Sequence, residues 1–244
     1  ELKAQGKDII DSSLGEPDFD TPQYIKDAAK TAIDQGYTKY TPVPGYAELR
    51  KARMQKFKRD NNLDYTLEQI VVSTGAKQSI ANVVLSLINP GDEVLLPAPY
   101  WVSYAAIAEV ADGKCVEIPT TIDSNFKVTA ALLDKYITSK TKLIIFSSPC
   151  NPTGSVFSHE ELKAIADVVK KHPNLFVLCD EIYEYINFTG KKHTSLAAFT
   201  EIKEQVITVN GFSKGFAMTG WRLGYIGAPL AIAKACDKIQ GQFT

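Results

Sequence analysis

From about residue 70 onward, apolar runs of strand length alternate with amphipathic stretches of helical length. The run Leu143–Phe146 is continuously apolar, which indicates a strand that is covered on both of its faces. Buried strands that alternate with helices are typical of a mostly parallel sheet between two helical layers. Seven strands are predicted: Ile70–Ser73, Glu93–Pro97, Lys114–Ile118, Lys142–Ser147, Leu175–Asp180, Val206–Asn210 and Gly224–Ala228. We therefore expect an α/β domain built on a mostly parallel, seven-stranded sheet with helices on both faces.

The amphipathic stretches predict the helices. Ser158 and Glu161 form a capping box at the start of one of them. The predicted helices are Pro22–Gln35, Tyr46–Asn61, Ala76–Leu87, Trp101–Val110, Thr129–Tyr136, Ser158–Lys171 and Pro229–Gln240.

Composition and charge exclude several classes of function. The 244 residues contain 27 basic and 28 acidic side chains, so the net charge is −1 and no broad field attracts nucleic acid or an anionic membrane. No apolar run approaches the ~20 residues of a bilayer span, and the charged start does not resemble a signal peptide. We expect a cytoplasmic protein that binds neither nucleic acid nor membrane.

The four cysteines and three histidines show no metal-site spacing. No Cys-x-x-Cys pair occurs, and no pair of histidines lies near a cysteine. The sequence therefore predicts no metal site and no disulfide framework. We expect the cysteines to be small, buried, reduced residues in a reducing compartment.

Polar residues follow the predicted strands, where open α/β sheets bind their ligands. After the first strand, Thr74-Gly75-Ala76-Lys77 opens a helix, and free N–H groups at a helix N-terminus attract anions such as phosphate. Asn151 lies between two prolines after the fourth strand, and Asp180 ends the fifth, with Tyr183 three residues on. A buried carboxylate needs a cation or a hydrogen-bond donor.

The segment after the sixth predicted strand contains a lysine in apolar, glycine-rich surroundings. This residue is Lys214, with Arg222 eight residues later. A desolvated lysine has a lowered pKa and can form a Schiff base with a carbonyl. Together with the phosphate-type turn, Asn151, Asp180 and Tyr183, this lysine provides what a pyridoxal phosphate site requires. Asp180 would face the ring nitrogen, and Asn151 and Tyr183 would face the ring oxygen.

The run Asn210–Tyr225 closely resembles the pyridoxal phosphate lysine signature of class I/II aminotransferases. Further stretches resemble the same family, in the family's order and over essentially the whole chain: Gly15–Pro22, Lys39–Pro42, Pro99–Tyr104, Asn151–Gly154 and Asp180–Tyr183. Within the class, the chain looks most like the bacterial and archaeal branch of aspartate aminotransferases. The fold implied is the large domain of a fold-type I pyridoxal-phosphate-dependent transferase.

The resemblance implies a role for each matching residue. Lys214 would be the Schiff-base lysine and proton shuttle, Asp180 would pair with the ring nitrogen, and Trp101 would stack on the ring. Asn151 and Tyr183 would hold the ring oxygen, and Asn151 and the Gly15 backbone would also meet the substrate carboxylate. The phosphate cup would consist of Gly75, Ala76, Lys77, Ser213 and Arg222. In this branch, Lys77 can instead face the distal carboxylate of a dicarboxylic substrate.

The resemblance also implies an assembly and a domain organisation. Tyr40 would reach the phosphate of the neighbouring subunit, so a homodimer is expected. Residues 1–45 would provide substrate and dimer-contact loops of the large domain, and residues 46–244 its cofactor-binding part. The small domain, with the arginine that grips the α-carboxylate, and the N-terminal closing segment are expected to lie outside these 244 residues. One position departs from the pattern, because Gly211 stands where many relatives place a phosphate-binding serine, which gives Ser213 more weight.

Other functions fit the residues less well. Tyr136 and Lys140 match the catalytic Tyr-x-x-x-Lys pair of nicotinamide oxidoreductases, but no G-x-G-x-x-G follows the first strand. A P-loop is absent from the sequence. The cofactor-sensing domain of a transcription regulator is also disfavoured, because the sequence contains no DNA-binding segment and no basic stripe. Aromatic or prephenate transamination and β-elimination use the same residues and stay open. We expect a ping-pong exchange between aspartate and 2-oxoglutarate.

Overall fold

A computed structural model describes residues 2–10 and 15–244 of the chain; residues 1 and 11–14 of the predicted 1–45 segment lie outside it. The helices are α1 (Gln23–Asp34), α2 (Ala47–Asn61), α3 (Ala76–Leu87), α4 (Ser103–Val110), α5 (Ala130–Tyr136), α6 (His159–Val169) and α7 (Leu230–Gln240). The strands are β1 (Ile70–Ser73), β2 (Glu93–Ala98), β3 (Lys114–Pro119), β4 (Thr141–Ser147), β5 (Phe176–Asp180), β6 (Val206–Gly211) and β7 (Gly224–Gly227).

The seven strands form one sheet in the order β1-β7-β6-β5-β4-β2-β3. Four neighbouring pairs are parallel, and only β7 runs against its neighbours, β1 and β6. The predicted mostly parallel, seven-stranded sheet is therefore confirmed. Because six strands run in one direction, the loops that follow them meet at one edge of the sheet.

Two apolar clusters cover the two faces of the sheet, as the alternation of side chains along each strand requires. In β5, Val177 and Cys179 belong to one cluster, which includes residues of α2 and α6. Leu178 belongs to the other cluster, which includes residues of α3, α4 and α7. Burial on both faces explains why the strands are continuously apolar.

The predicted helices exist, with small differences at their ends. The helix predicted from Trp101 begins at Ser103, so Trp101 lies in the loop before α4. The helix predicted to reach Lys171 ends at Val169, although its capping box of Ser158 and Glu161 forms as expected. Helix ends fray, and the hydrogen bonds of the last turn depend on local contacts. A pattern of apolar residues therefore places helix ends only to within about two residues.

The helices and the cysteines bear on the expectations about membranes and disulfides. Within the described residues, no helix combines the length and the apolar character needed to cross a membrane. The four cysteines are free; Cys179 and Cys236 are buried, whereas Cys115 and Cys150 are half-buried.

Candidate active site

Five loops with predicted site residues leave the carboxyl ends of parallel strands at one edge of the sheet. Gly75 follows β1, Trp101 follows β2, Asn151 follows β4, Asp180 ends β5 and Lys214 follows β6. Residues that are far apart in the sequence therefore converge because the strands between them are parallel.

Gly75 is the residue at which the chain turns from β1 into α3. Its φ of 88° lies in the left-handed region that favours glycine. A β-carbon at Gly75 would lie 2.4 Å from Nη2 of Arg222. The absence of a side chain at Gly75 thus lets the Arg222 guanidinium lie directly against the N-terminus of α3.

Backbone N–H groups and a guanidinium meet at the N-terminus of α3. Within residues 2–10 and 15–244, no acceptor is found for the N–H groups of Ala76 and Lys77 in the first turn of α3. The guanidinium of Arg222 adds a positive charge and is steadied by the bond that its Nη1 donates to the Thr219 carbonyl, at 2.9 Å. The Ser213 residue is buried next to Lys214. A helix N-terminus with a guanidinium beside it can bind an anion, and we call this arrangement of Gly75, Ala76, Lys77 and Arg222 the anion cup.

Two further glycines let the chain close around this cup. A β-carbon at Gly224 would lie 2.2 Å from the Ala76 backbone nitrogen, so β7 can pass the cup only without a side chain there. At Gly211, a β-carbon would lie 3.0 Å from the Leu223 carbonyl oxygen. The Cδ1 atom of Ile182 would lie at 2.8 Å, so a side chain at position 211 requires its neighbours to shift.

Asp180 is a buried carboxylate that accepts two hydrogen bonds. Its Oδ2 accepts a bond from the Tyr104 hydroxyl at 2.8 Å, and its Oδ1 accepts one from the Ile182 N–H at 3.2 Å. Burial raises the pKa of Asp180 to about 6, and these two bonds limit the rise. No cation in the described part of the chain pairs with it. The carboxylate therefore lacks the positive partner that its burial calls for.

Lys214 lies half-buried in the loop after β6. Its Nζ donates a hydrogen bond to the Gly15 carbonyl and lies 5.8 Å from the centre of the Tyr183 ring. Burial lowers the pKa of Lys214, the charge of Glu16 opposes this, and the charge of Arg222 adds to it. A lysine of lowered pKa is more often an uncharged, nucleophilic amine.

Tyr183 and Asn151 line the same cavity, of about 490 Å³, next to Cys150 and Phe188. Burial and the charge of Asp180 raise the pKa of Tyr183, so its hydroxyl keeps its proton at neutral pH. The cavity therefore presents a phenol and a side-chain amide, which can both donate hydrogen bonds to one ligand.

Trp101 connects the cup with the buried acid. The Lys77 Nζ lies 4.9 Å from the centre of the indole ring, and the Tyr104 ring packs edge-on against the indole at 5.5 Å. The contacts thus run from Lys77 through Trp101 and Tyr104 to Asp180. Trp101 offers a partly exposed aromatic face within this site.

Tyr40 is the one predicted site residue that the structure does not bring to this group. Its side chain is fully exposed. Its predicted contact with a neighbouring subunit stays a prediction.

Sequence reasoning missed two residues of the site. Tyr104 is the hydrogen-bond partner of Asp180, and its position three residues after Trp101, at the start of a helix, could have pointed to it. Glu16 accepts a bond from the Thr219 hydroxyl at 2.7 Å and acts on Lys214 by its charge. No sequence signal joins Glu16 to Lys214, because the two residues are about 200 positions apart.

The chain was compared with known families and proteins. Residues 7–244 match the profile of the family described as aminotransferase class I and II. The chain is 51% identical, over its whole length, to a probable aspartate/prephenate aminotransferase of Rhizobium leguminosarum bv. phaseoli, of which it covers 61%. It is 52% identical to a bifunctional aspartate aminotransferase and glutamate/aspartate-prephenate aminotransferase of Petunia hybrida, and it covers 51% of that protein.

Solved structures give a concordant result. The crystal structure of the aspartate aminotransferase from Rhizobium meliloti superposes with a TM-score of 0.97 and 43% sequence identity; the match covers all of this chain and 61% of that one. The chain thus spans about half to three-fifths of the length of the proteins that it resembles.

Proposed function

This chain belongs to the aminotransferases of class I and II, and we therefore propose that it forms the cofactor-binding part of a pyridoxal-phosphate-dependent transaminase. The reaction is the exchange of an amino group between an amino acid and a 2-oxo acid in a ping-pong sequence. The single observation that carries this proposal is the convergence of a half-buried lysine, an uncompensated buried carboxylate and an anion cup at one sheet edge.

The residues present fit the chemical groups of pyridoxal phosphate. The anion cup suits the phosphate, because the absence of a side chain at Gly75 lets the Arg222 guanidinium lie beside the first N–H groups of α3. The buried Asp180 lacks a cation, and a protonated pyridine nitrogen would supply one. Lys214 supplies an amine for the aldehyde, and Asn151 and Tyr183 supply donors for the ring oxygen.

Each residue then has a defined task. When bound, the cofactor supplies an aldehyde and an electron-withdrawing ring. Asp180 would stabilise the positive charge on the ring nitrogen, Trp101 would pack against the ring, and the N–H groups of Ala76 and Lys77 would hold the phosphate. Lys214, with its lowered pKa, would accept the proton from the substrate Cα at its Nζ and donate it back to Cα of the second substrate in the reverse half of the exchange. Asn151 orients the substrate carboxylate.

Trapping of the cofactor tests this proposal. The intact protein is mixed with pyridoxal phosphate, its absorbance spectrum is recorded before and after borohydride, and the reduced adduct is located by mass spectrometry. We expect an adduct on Lys214. A folded protein that is modified at several exposed lysines, with no preference for Lys214, would contradict the proposed site.

We propose aspartate and 2-oxoglutarate as the preferred substrate pair. The support is the word aspartate in the names of the three similar proteins described above, and the position of the Lys77 ammonium beside Trp101 in the site. Prephenate is the second candidate acceptor, because the names of both curated relatives described above include it. Steady-state rates of the intact protein with aspartate, glutamate, aromatic and alanine donors, and with prephenate as acceptor, decide between them.

Replacing Lys77 by methionine is expected to raise KM for dicarboxylic donors about tenfold and to leave aromatic donors nearly unchanged. A hydrogen bond to a charged group contributes about 1.5–3 kcal/mol, and only a dicarboxylate uses this one. Steady-state kinetics with both donor classes measures the effect. The matched control is Lys142→Met, because Lys142 also lies over an aromatic ring, that of Phe176 at 5.2 Å, but outside the site. An equal loss for both donor classes would assign Lys77 to the phosphate cup instead.

Replacing Gly75 by alanine is expected to weaken binding of pyridoxal phosphate at least about a hundredfold. The added methyl group would lie 2.4 Å from Arg222 Nη2 and would push the guanidinium away from the anion cup. Loss of a charge-assisted contact of this kind costs about 3 kcal/mol. Titration of the cofactor-free protein with pyridoxal phosphate measures the affinity. The control is Gly91→Ala, where φ is 90° but nothing lies within 4 Å. Equal losses in both variants would show that backbone strain alone is responsible.

We propose that the protein acts as a homodimer in the cytoplasm. The support for the dimer is the membership of the family, within which Tyr40 is expected to reach a neighbouring subunit; its side chain is fully exposed and so is available for such a contact. The support for the compartment is the absence of a disulfide among the four cysteines. Sedimentation of the intact protein and of a Tyr40→Ser variant, with cofactor titration of both, tests whether this residue completes the neighbouring site.

A further inference from the structure

A cluster of buried charged side chains lies behind the acid of the candidate active site. Side chains alternate along β5, so Asp180 points towards Tyr104 of α4, whereas the next residue, Glu181, points to the opposite face of the sheet. There it meets Glu184, Lys56 of α2 and His193. The side chains of these four residues are between 0% and 7% exposed. Buried charges of this kind require partners.

Lys56 and Glu184 form the first pair of the cluster. The Lys56 Nζ contacts Glu184 Oε1 and also donates a hydrogen bond to Asn61 Oδ1, at 2.8 Å. The Asn61 amide in turn donates to Glu184 Oε2 at 3.2 Å. Helix α2 is therefore tied to the turn after β5 by a closed set of contacts.

Glu181 and His193 form the second pair. The His193 Nε2 lies 3.1 Å from Glu181 Oε2, although its N–H is not aligned well enough for a standard hydrogen bond. Glu181 is completely buried and has no other cation within the described residues. Burial is the largest single influence and lowers the pKa of His193, and the charge of Lys56 adds to this effect. Glu181 and Glu184 together outweigh both, so the pKa is raised.

Further titratable groups face the cluster, and three of them are uncharged. Burial raises the pKa values of Tyr65, Tyr225 and Cys179, so all three stay neutral. Glu181 and Glu184 also add to the rise at Tyr225 by their charge. Charged groups also border the cluster. The Arg53 guanidinium lies over the Tyr225 ring, with 5.6 Å to its centre, the charge of Glu204 raises the pKa of Tyr65, and the charge of Lys56 lowers the pKa of Asp60. The charged side chains of the cluster itself are its two carboxylates, Lys56 and His193.

The same turn holds the candidate catalytic residues. The Glu181 N–H donates to the Val209 carbonyl at 2.8 Å, and the Glu184 N–H donates to the Glu181 carbonyl at 3.0 Å. Asp180 precedes Glu181, and Tyr183 precedes Glu184. Each of the two site residues is thus one position away from a buried carboxylate that is anchored on the opposite face of the sheet.

We propose that Glu181 and His193 are positioning residues, which together with Lys56 and Glu184 hold the turn from Asp180 to Tyr183, and that a proton on His193 completes the charge balance of this cluster. The inference rests on the proposed function, since the turn matters for the reaction only if Asp180 and Tyr183 hold the cofactor. Two carboxylates then face two cations, and the cluster needs no metal ion, although its three possible ligand atoms lie within 4.8 Å of one another.

The pH dependence follows from the raised pKa of His193. Its contribution to stability is fully present below the unfolded value of about 6.5 and is lost as the pH rises through the higher, folded value. Loss of the proton leaves Glu181 buried without a cation. At high pH, both the fold around the turn and the affinity for pyridoxal phosphate are expected to weaken together.

The experiment compares the intact protein with Glu181→Gln, His193→Gln and the double variant; the matched control is His172→Gln, whose histidine lies 3.8 Å from Asp134 at the surface. The His193 pKa is read by NMR, urea unfolding of the cofactor-free protein is measured from pH 5.5 to 9, and affinity is titrated with pyridoxal phosphate. At pH 6, we expect His193→Gln to shift the unfolding equilibrium about a hundredfold and to weaken the cofactor about tenfold. The double variant recovers part of both losses.

Three results would overturn the inference. The first is a His193 pKa at or below about 6.5 in the intact protein, which needs no variant to fold. The second is a tightly bound metal ion that stabilises the protein through these residues. The third is a destabilised His193→Gln protein whose cofactor affinity equals that of His172→Gln, which would leave the pair a stability role only. If even the unsubstituted protein fails to bind pyridoxal phosphate, the proposed function fails and the positioning role fails with it, whereas the NMR and unfolding results still decide whether the ion pair exists.

Discussion

Replacing Lys214 by alanine is expected to abolish the borohydride-trapped cofactor adduct and to lower transamination at least about 10⁴-fold. The physical reason is that one amine performs two tasks, attachment of the aldehyde and transfer of the Cα proton, and general acid–base catalysis alone contributes about 10²–10⁴-fold. The half-buried position and lowered pKa of Lys214 single out this amine. Intact mass after reduction and steady-state rates with aspartate and 2-oxoglutarate measure the two effects.

Two controls separate the amine from its charge. Lys214→Arg keeps a cation near the Gly15 carbonyl, which accepts the bond from Lys214, but removes the nucleophile, so it should be as inactive as the alanine variant. Lys234→Ala removes an exposed lysine of α7 and should change neither measurement. Full transamination by Lys214→Ala would remove the central assignment.

Replacing Asp180 by asparagine is expected to move activity and stability in opposite directions. Activity should fall at least about a hundredfold, because a protonated ring nitrogen would lose its buried counter-charge, and breaking such a pair costs about 3–5 kcal/mol. The cofactor-free protein should instead become more stable at pH 7, by about 3 kcal/mol. This value follows from a pKa that rises from 3.8 to about 6, at about 1.36 kcal/mol for each pKa unit.

The pH dependence of this stability difference has a definite sign. An acid whose folded pKa is raised binds its proton more tightly in the folded state, so stability falls as pH rises from 3.8 to about 6. The gain from Asp180→Asn should therefore be complete above pH 6 and absent below about pH 4. Thermal or urea unfolding of the cofactor-free proteins between pH 4 and 8 measures it. Tyr104→Phe, which removes one bond to Asp180 and keeps the charge, should show no such gain. A less stable Asp180→Asn protein at pH 7 would show that the ionised carboxylate is well satisfied.

Much of the architecture follows from local sequence patterns. The strand alternation and the capping box of Ser158 and Glu161 depend on near neighbours, and the structure contains the predicted sheet and helix. The predicted helix ends were less accurate. The helix predicted from Trp101 begins at Ser103, because the terminal turns depend on contacts that no periodicity encodes.

The candidate site was predictable where residue type and strand ends coincide. Lys214, Asp180, Asn151 and Gly75 all follow strands whose parallel direction brings their ends together. Their proposed roles still await the experiments above. Tyr104 and Glu16 escaped the sequence because a tyrosine on a helix and an acid in a loop are ordinary residues until their partners are known.

By itself, the sequence determined the class of fold, the positions of the strands along the chain and the residue types available for a cofactor, because these depend on spacing along the chain. Only the tertiary structure decided that Asp180 and Glu181, neighbours in sequence, serve opposite faces of one sheet. It also decided that Gly211 lies tightly against Ile182 and Leu223 and that Arg222 lies against Gly75. Desolvation and close approach are properties of atoms brought together from distant parts of the chain, and so no local pattern can encode them.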